Sequence, residues 1–360
     1  MRGFKVVIDA DDVLLSCNDY ALELLKKDTG KECSVNEIDG WGILGKPVDE
    51  RLRYFDDPQF FSTQPAMEGA GGFLKRVSEM ADVTIMTAVN PKFAGMRIER
   101  LQKLFPFFSA SQVVMGERKD LLNADVILDD RVKNVMSSGC ALPVLYRRPW
   151  NQKMSGFCSV SGYDEFIDIV SYLQNGKANE TKGNGIVCIV GPAGSSKHRL
   201  LNEICMKDGS FEPVVHITTA ESCEHPGTMT VTGEEFDSFE NRGLLAEKTW
   251  YDNERYGTFS GDFEEILARG KNAVTVMDIS GSISMRRRFP DKCLIVYADR
   301  NKYDAVREII GKDLSDKQKT DRICGIDHEQ KNRVLADIEA DTDDDQIRTS
   351  AEKICGIFRS

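Results

Sequence analysis

The sequence predicts an α/β chain of two domains, each built on a mainly parallel sheet. Short β-rich apolar runs alternate with helical periodicities on both sides of one polar break, the pattern of βαβ units. The length agrees, since 360 residues at roughly 150 per domain makes about two. The break is QNGKANETKGNG (174–185), which separates the amphipathic DEFIDIVSYL from the apolar GIVCIV. Its polar, glycine-containing composition suits a linker. The expected division is a first domain over 1–173, a linker over 174–184 and a second domain over 185–360.

Composition narrows the function classes. Hydrophobic residues make up 41% and charged residues 29%, which is globular and excludes wholesale disorder. A net charge of −11 argues against a general nucleic-acid or anionic-membrane surface, which needs clustered Lys and Arg. No apolar run reaches the roughly 20 residues that span a bilayer, and MRGFKVVIDADDVLL carries carboxylates in its apolar stretch, unlike a signal peptide. The 10 cysteines stand singly with no CxxC and only 4 histidines, the pattern of free thiols in a reducing cytoplasm. The acidic run Asp341–Asp345 reads as a solvated loop and helix start.

In order, the first-half strands are KVVIDA, VTIMT, QVVM, DVILDD and PVLYR; the second-half strands are IVCIV, VVHIT, AVTVMDI and CLIVYA. The first strand runs into Asp9, Asp11 and Asp12, and alternation puts Asp9 and Asp11 on one side of an extended chain. The second ends in Thr87. DVILDD ends in Asp129 and Asp130, ten residues after Lys119. Clustered carboxylates repel unless a cation or substrate compensates them. Ligands in open α/β sheets bind beyond the carboxyl ends of strands, where all these groups fall. They make a site with carboxylates for Mg²⁺ and a hydroxyl and an ammonium for phosphate.

This constellation (DADDVL, TIMTA, GERKD and LDDR) resembles the haloacid-dehalogenase (HAD) superfamily, and more narrowly the 5′(3′)-deoxyribonucleotidase family, over about residues 3–172. The resemblance implies a Rossmannoid parallel sheet with a small helical cap over about 15–65, and phosphomonoester hydrolysis. Asp9 would be the nucleophile and Asp11 the acid and base. Asp9, Asp11 (through its carbonyl) and Asp130 would hold Mg²⁺, supported by Asp129, and Thr87 and Lys119 would cradle phosphate. The aromatics Tyr54, Phe55, Phe60 and Phe61 have two readings, a cap that stacks on a nucleobase or simply cap core; Trp41 in DGWGIL is the chosen base contact. Two departures from the family pattern stand out. Asp12 replaces a glycine at a tight turn, and Ala88 replaces a hydroxyl that would serve phosphate.

In the second half, IVCIVGPAGSSKHRLL reads as strand, glycine-containing turn and helix. Gly191, Gly194, Ser195 and Ser196 would offer backbone N–H groups to the phosphates of ATP or GTP, and Lys197 would reach the terminal one. Ser196 stands where a P-loop has its second glycine and His198 where it has the Mg²⁺-binding hydroxyl. This half resembles the guanylate-kinase family over about 184–358, a P-loop NTPase fold, on HITTA, Glu247 nine residues before Tyr256-Gly257-Thr258, and VMDISG with Asp278. By that resemblance Arg307 and Arg322 fall at lid and catalytic positions. The family's phosphate-binding arginines are replaced by Ala220 and Cys223, and a tyrosine is lost near Thr228.

The functional expectation is a cytoplasmic, Mg²⁺-dependent (deoxy)nucleoside 5′-monophosphate phosphatase, fused to a domain that binds or phosphorylates nucleotides. The alternatives are a nucleotide sensor or scaffold, including a dimerisation module for a homodimer, and polynucleotide end repair.

Overall fold

The computed structural model describes residues 3–38, 45–175, 183–221, 227–251 and 254–359. The chain divides into two compact units, Met1–Gln152 with Ser159–Gln174, and Lys153–Cys158 with Asn175–Ser360. Among the described residues no helix is long and apolar enough to cross a membrane.

The first unit holds a six-stranded sheet with strands β1 (Lys5–Asp9), β2 (Asp82–Thr87), β3 (Val113–Met115), β4 (Val126–Asp129), β5 (Leu142–Tyr146) and β6 (Cys158–Val160). Their spatial order is β3-β2-β1-β4-β5-β6. The pairs β1–β2, β1–β4, β2–β3 and β4–β5 are parallel. Chain order reverses at β1, so a crevice opens there beyond the strand ends, where such folds bind ligands. Val6 and Ile8 are fully buried, as expected for a central parallel strand covered on both faces. Each such side chain contributes roughly 1.5–3 kcal/mol by burial.

Between β1 and β2 lie the helix Asn18–Thr29, the 3₁₀ turns Val35–Glu37 and Pro47–Asp56, and the helix Pro58–Thr63. They share an apolar cluster that includes Leu22, Leu25, Tyr54, Phe60, Phe61 and Phe93, with Phe55 packed on it. Of the two readings of these aromatics, the core one describes Tyr54, Phe60 and Phe61. The Phe60 and Phe61 rings meet each other, and meet Tyr20 and Phe93 at centroid distances of 5.4 Å for Tyr20–Phe60 and 5.1 Å for Phe61–Phe93, while Tyr54 is buried in the same cluster. Burial there removes them from base stacking. Trp41 lies outside the described residues.

The second unit carries two sheets. A parallel five-stranded sheet has the order β15-β14-β7-β13-β8, with β7 (Ile186–Val190) at its centre beside β13 (Asn272–Val276) and β14 (Cys293–Asp299), and β8 (Phe211–Pro213) and β15 (Ile338–Asp341) at its edges. A four-stranded sheet has the order β10-β9-β12-β11, from β9 (His216–Thr218), β10 (Thr228–Thr230), β11 (Leu245–Tyr251) and β12 (Glu254–Phe259). The run VVHIT (214–218), expected as one strand, supplies only His216–Thr218 as β9; just before it, β8 of the other sheet ends at Pro213, which has no N–H to continue a ladder. The hairpin β11–β12 was not expected, because LAEKTWY and ERYGTF are partly polar and lack a clean apolar run. The helix Tyr163–Asn175 extends into the stretch read as linker, and residues 176–182 lie outside the described ones.

Candidate functional site

Adjacent parallel strands bring the expected carboxylates together. Ile8 is in register with Ile85 and Leu128, so Asp9, Thr87 and Asp129 emerge at one end of β1, β2 and β4. Oxygens of Asp9, Asp129 and Asp130 lie within 4.8 Å of one another, and all three residues are buried. Lys119, on a short 3₁₀ turn and only 2% exposed, donates to Asp9 Oδ1 at 2.6 Å and Asp129 Oδ2 at 2.5 Å. Burying that ammonium costs several kcal/mol, which its carboxylate partners offset.

The acids differ in what remains free. Asp129 also accepts from the Arg131 amide at 2.8 Å and from Asn134 Nδ2 at 3.1 Å, so it holds Lys119 and the following turn in place. Asp130 accepts from Trp150 Nε1 at 3.0 Å through Oδ2, while its buried Oδ1 has no hydrogen-bond partner among the described residues. The fully buried Thr87 Oγ1 likewise has none. Buried polar atoms without partners are costly and point to an absent ligand. Three carboxylates, hard oxygen donors with one oxygen unsatisfied, fit Mg²⁺. The Asp11 carboxylate stands outside that group and accepts at Oδ1 from Arg97 Nη2 at 2.9 Å and Gln64 Nε2 at 3.0 Å.

Burial dominates the electrostatics. It pushes Asp9 up to about 7, opposed by Lys119 and aided by the charges of Asp129 and Asp11. It raises Asp130 well above the usual range, with Asp129 and Asp9 adding to the effect. For Lys119 burial opposes the charge, but Asp9 and Asp129 outweigh it and hold the ammonium above the ordinary lysine value.

Asp12, the residue in place of a glycine, sits at φ 55°, a left-handed conformation. That costs on the order of 1 kcal/mol or more for a side-chain-bearing residue. Its buried carboxylate compensates by accepting from the Cys17 amide at 3.1 Å, the Asn18 amide at 3.0 Å and Asn18 Nδ2 at 2.5 Å. The added side chain therefore anchors the start of the cap's first helix.

In the second unit, a cavity of about 810 Å³ is lined by the loop after β7, including Gly191, Gly194, Ser195, Ser196, Lys197 and His198. Gly194 has φ 75°, and a Cβ there would lie 2.5 Å from the Ala305 carbonyl oxygen, so this turn requires glycine. Ser196, also left-handed at φ 54°, directly precedes the helix Lys197–Lys207. Lys197 Nζ donates to the Gly191 and Pro192 carbonyls at 2.6 and 2.7 Å. Burial lowers its pKa to about 8, against the attraction of Glu329. Glu329 is pushed up to about 7 by burial, while Lys197 and a hydrogen bond from the Ala193 backbone oppose that shift.

Glu247, Tyr256, Asp278 and Arg322 also line the cavity. Glu247, from β11, accepts from Thr258 Oγ1 at 3.1 Å, and its buried Oε2 has no partner among the described residues. Burial, and then the Asp278 charge, pushes it up to about 8. Asp278 caps the helix Ile279–Arg288 by accepting the Gly281 amide at 2.6 Å, and also accepts from Thr249 Oγ1. Ala220, in place of a family arginine, and Thr228, near which the tyrosine is lost, also line the cavity, whereas Cys223 lies outside the described residues. Arg307 stands apart: its side chain is 83% exposed and pairs with Asp304 at 3.2 Å. It occupies the solvent face of the helix Lys302–Gly311, whose buried face carries Ala305 and Ile309.

Sequence reasoning did not find Arg97, Gln64, Trp150, Arg300 or Glu329. Each reaches its site from a helix or loop remote in sequence, with no local motif to mark it. Arg300 donates to the Gly194 carbonyl at 3.1 Å and to Ser196 Oγ at 2.8 Å, and pairs with Glu308.

Comparison with known proteins matches each half of the chain separately. Residues 3–175 match the family described as 5′ nucleotidase, deoxy (Pyrimidine), cytosolic type C protein. A 5′(3′)-deoxyribonucleotidase of Bacillus subtilis (strain 168) is 26% identical over 111 residues, 30% of this chain and 64% of the relative. A guanylate kinase of Polaromonas sp. (strain JS666) is 31% identical over 111 residues, 30% of this chain and 54% of the relative. The chain thus spans a little over half to just under two thirds of the length of these curated relatives. The solved guanylate kinase from Anaplasma phagocytophilum aligns with TM-score 0.39 and 17% identity, covering 50% of this chain and 86% of that one. The first half of the chain resembles the deoxyribonucleotidase family of HAD-like hydrolases, and the second half resembles the guanylate kinases.

Proposed function

We propose that the chain is a Mg²⁺-dependent phosphatase of (deoxy)nucleoside 5′-monophosphates, joined to a guanylate-kinase-like half that binds nucleotides. The observation that carries the reading is the buried group of Asp9, Asp129 and Asp130 with Lys119, at the same strand ends as the Thr87 hydroxyl, which has no partner among the described residues. Asp9, the Asp11 carbonyl and Asp130 would hold the metal, supported by Asp129, and its charge would offset theirs and that of the incoming phosphate.

The Asp9 carboxylate attacks phosphorus, and the bond from phosphorus to the 5′-oxygen breaks with its electron pair staying on oxygen. Asp11 supplies the proton to that oxygen, and then takes one from the water that opens the aspartyl phosphate. Thr87 Oγ1 and Lys119 Nζ donate to the phosphoryl oxygens, where charge develops. In the second half, the loop 191–198 would take the phosphates of ATP or GTP and Glu247 the base of a second nucleotide.

A panel of nucleoside monophosphates with Mg²⁺, assayed for phosphate release and for ATP-dependent phosphorylation, tests both halves. The expected result is phosphate release that Asp9→Asn abolishes and Lys197→Ala leaves intact. Full activity in Asp9→Asn, or no release from any monophosphate, would refute the phosphatase reading.

A further inference from the structure

If the phosphatase reading holds, Asp11 must present one oxygen to the leaving group, and the structure contains a device that selects which one. Both donors to this carboxylate converge on Oδ1: Arg97 Nη2 at 2.9 Å and Gln64 Nε2 at 3.0 Å. No described residue donates to Oδ2. Arg97 and Gln64 are each fully buried. Arg97 belongs to the helix Ala94–Leu104 that follows β2, and Gln64 ends the cap helix Pro58–Thr63.

Neither donor is loosely held. The Arg97 guanidinium lies over the Phe61 ring, 5.1 Å from its centroid, and Phe61 stacks on Phe93. Arg100, one turn after Arg97, donates to the Gln64 and Thr63 carbonyls at 2.7 and 2.9 Å and ties the end of the cap helix to the same core helix. One donor thus comes from the sheet domain and the other from the cap. The carboxylate is aimed only when both elements are docked.

We propose that Arg97 and Gln64 are positioning residues that pin Asp11 through Oδ1 and leave Oδ2 to exchange the proton. In the first step the proton on Oδ2 passes to the bridging oxygen as its bond to phosphorus breaks, while Asp9 forms the new bond to phosphorus. A positioned acid contributes roughly 10²–10⁴-fold to such a step, and misplacement by about 1 Å can cost on the order of 10²-fold. That contribution matters for an alkyl leaving group such as a 5′-oxygen. It is largely dispensable for p-nitrophenolate, which departs without a proton.

The test compares the full chain with Arg97→Met, Arg97→Lys and Gln64→Met on a nucleoside 5′-monophosphate and on p-nitrophenyl phosphate, with Mg²⁺. The expected result for Arg97→Met and Gln64→Met is a fall in kcat/KM, which reports the steps up to departure of the leaving group and not the later hydrolysis common to both esters, of about 10²-fold on the nucleotide. Their loss in kcat/KM on the aryl ester should be much smaller, and Arg97→Lys should recover part of the loss. Circular dichroism reports whether each variant folds; if Arg97→Met does not, Gln64→Met and Arg97→Lys carry the comparison. Equal losses on both esters, with an active wild type, would overturn the positioning role and leave the phosphatase reading standing. A wild type inactive on both esters would overturn both.

Discussion

Replacing Lys119 by methionine removes a cation that touches both Asp9 and Asp129, at 2.6 and 2.5 Å. The side chain is 2% exposed, so solvent does little to screen the loss. Breaking a buried pair by deleting one partner costs about 3–5 kcal/mol, because the remaining charge stays buried. Here the cost should depend on pH. Even with Lys119 present, burial holds Asp9 at about 7, against an ordinary 3.8. The native state therefore keeps a proton that the unfolded state releases between these values, and stability falls as pH rises through that window.

Without Lys119 the window extends further upward. Near pH 5 Asp9 holds a proton with or without Lys119; near pH 8, one unit above its value of about 7, the variant should lose about 1.4 kcal/mol more than it does near pH 5. Urea unfolding at both pH values, followed by tryptophan fluorescence in a Trp250→Phe background, measures this, since the other two of the 3 tryptophans are in the first half. Added Mg²⁺ should recover part of the loss at the higher pH. An equal loss at both pH values, or less than about 1 kcal/mol near pH 8, would refute the assignment of Lys119 as the counter-charge of this acid group.

Two further predictions concern other buried acids. Asp12→Gly relieves the left-handed backbone but removes the acceptor of the Cys17 and Asn18 amides; charge-assisted bonds of this kind contribute about 1.5–3 kcal/mol each, so a net loss of roughly 1–3 kcal/mol is expected by urea titration, and a stabilised variant would contradict the cap-anchoring role. Glu247 has a folded pKa of about 8, above its ordinary value, so it is largely neutral at pH 7 and withdraws stability as pH rises toward 8. Glu247→Gln should accordingly match wild type within about 1 kcal/mol near pH 4, where the glutamate is neutral folded or unfolded, and be the more stable by about 3 kcal/mol near neutrality, flattening that decline; an unchanged pH slope would show that Glu247 is ionised throughout.

Much of the first site was legible because its chemistry sits at strand ends. A run of apolar residues that closes on aspartate marks both a buried strand and the point where it meets solvent. The spacing of Lys119 from Asp129 likewise lies within one local stretch of chain. The glycine turn and Lys197 were legible for the same reason, since a strand, a tight turn and a helix start are consecutive in sequence.

What only the tertiary structure decided is which groups meet across large separations and which oxygens are left over. Arg97 and Gln64 come to Asp11 from 86 and 53 residues away, and an arginine inside a helical stretch such as AGMRIERL carries no local sign that it will be buried. Arg307 illustrates the converse: its position suggested a site, but helix phase turned it to solvent. The cap aromatics were visible as aromatics, yet only packing assigned Tyr54, Phe60 and Phe61 to a core. Sequence alone determined the α/β class and the two clusters of candidate site residues, because periodicity and strand-end residues are local. Packing between distant elements decided the hydrogen-bond partners, and with them the difference between Asp129, whose carboxylate is fully engaged, and Asp130, which keeps an oxygen free.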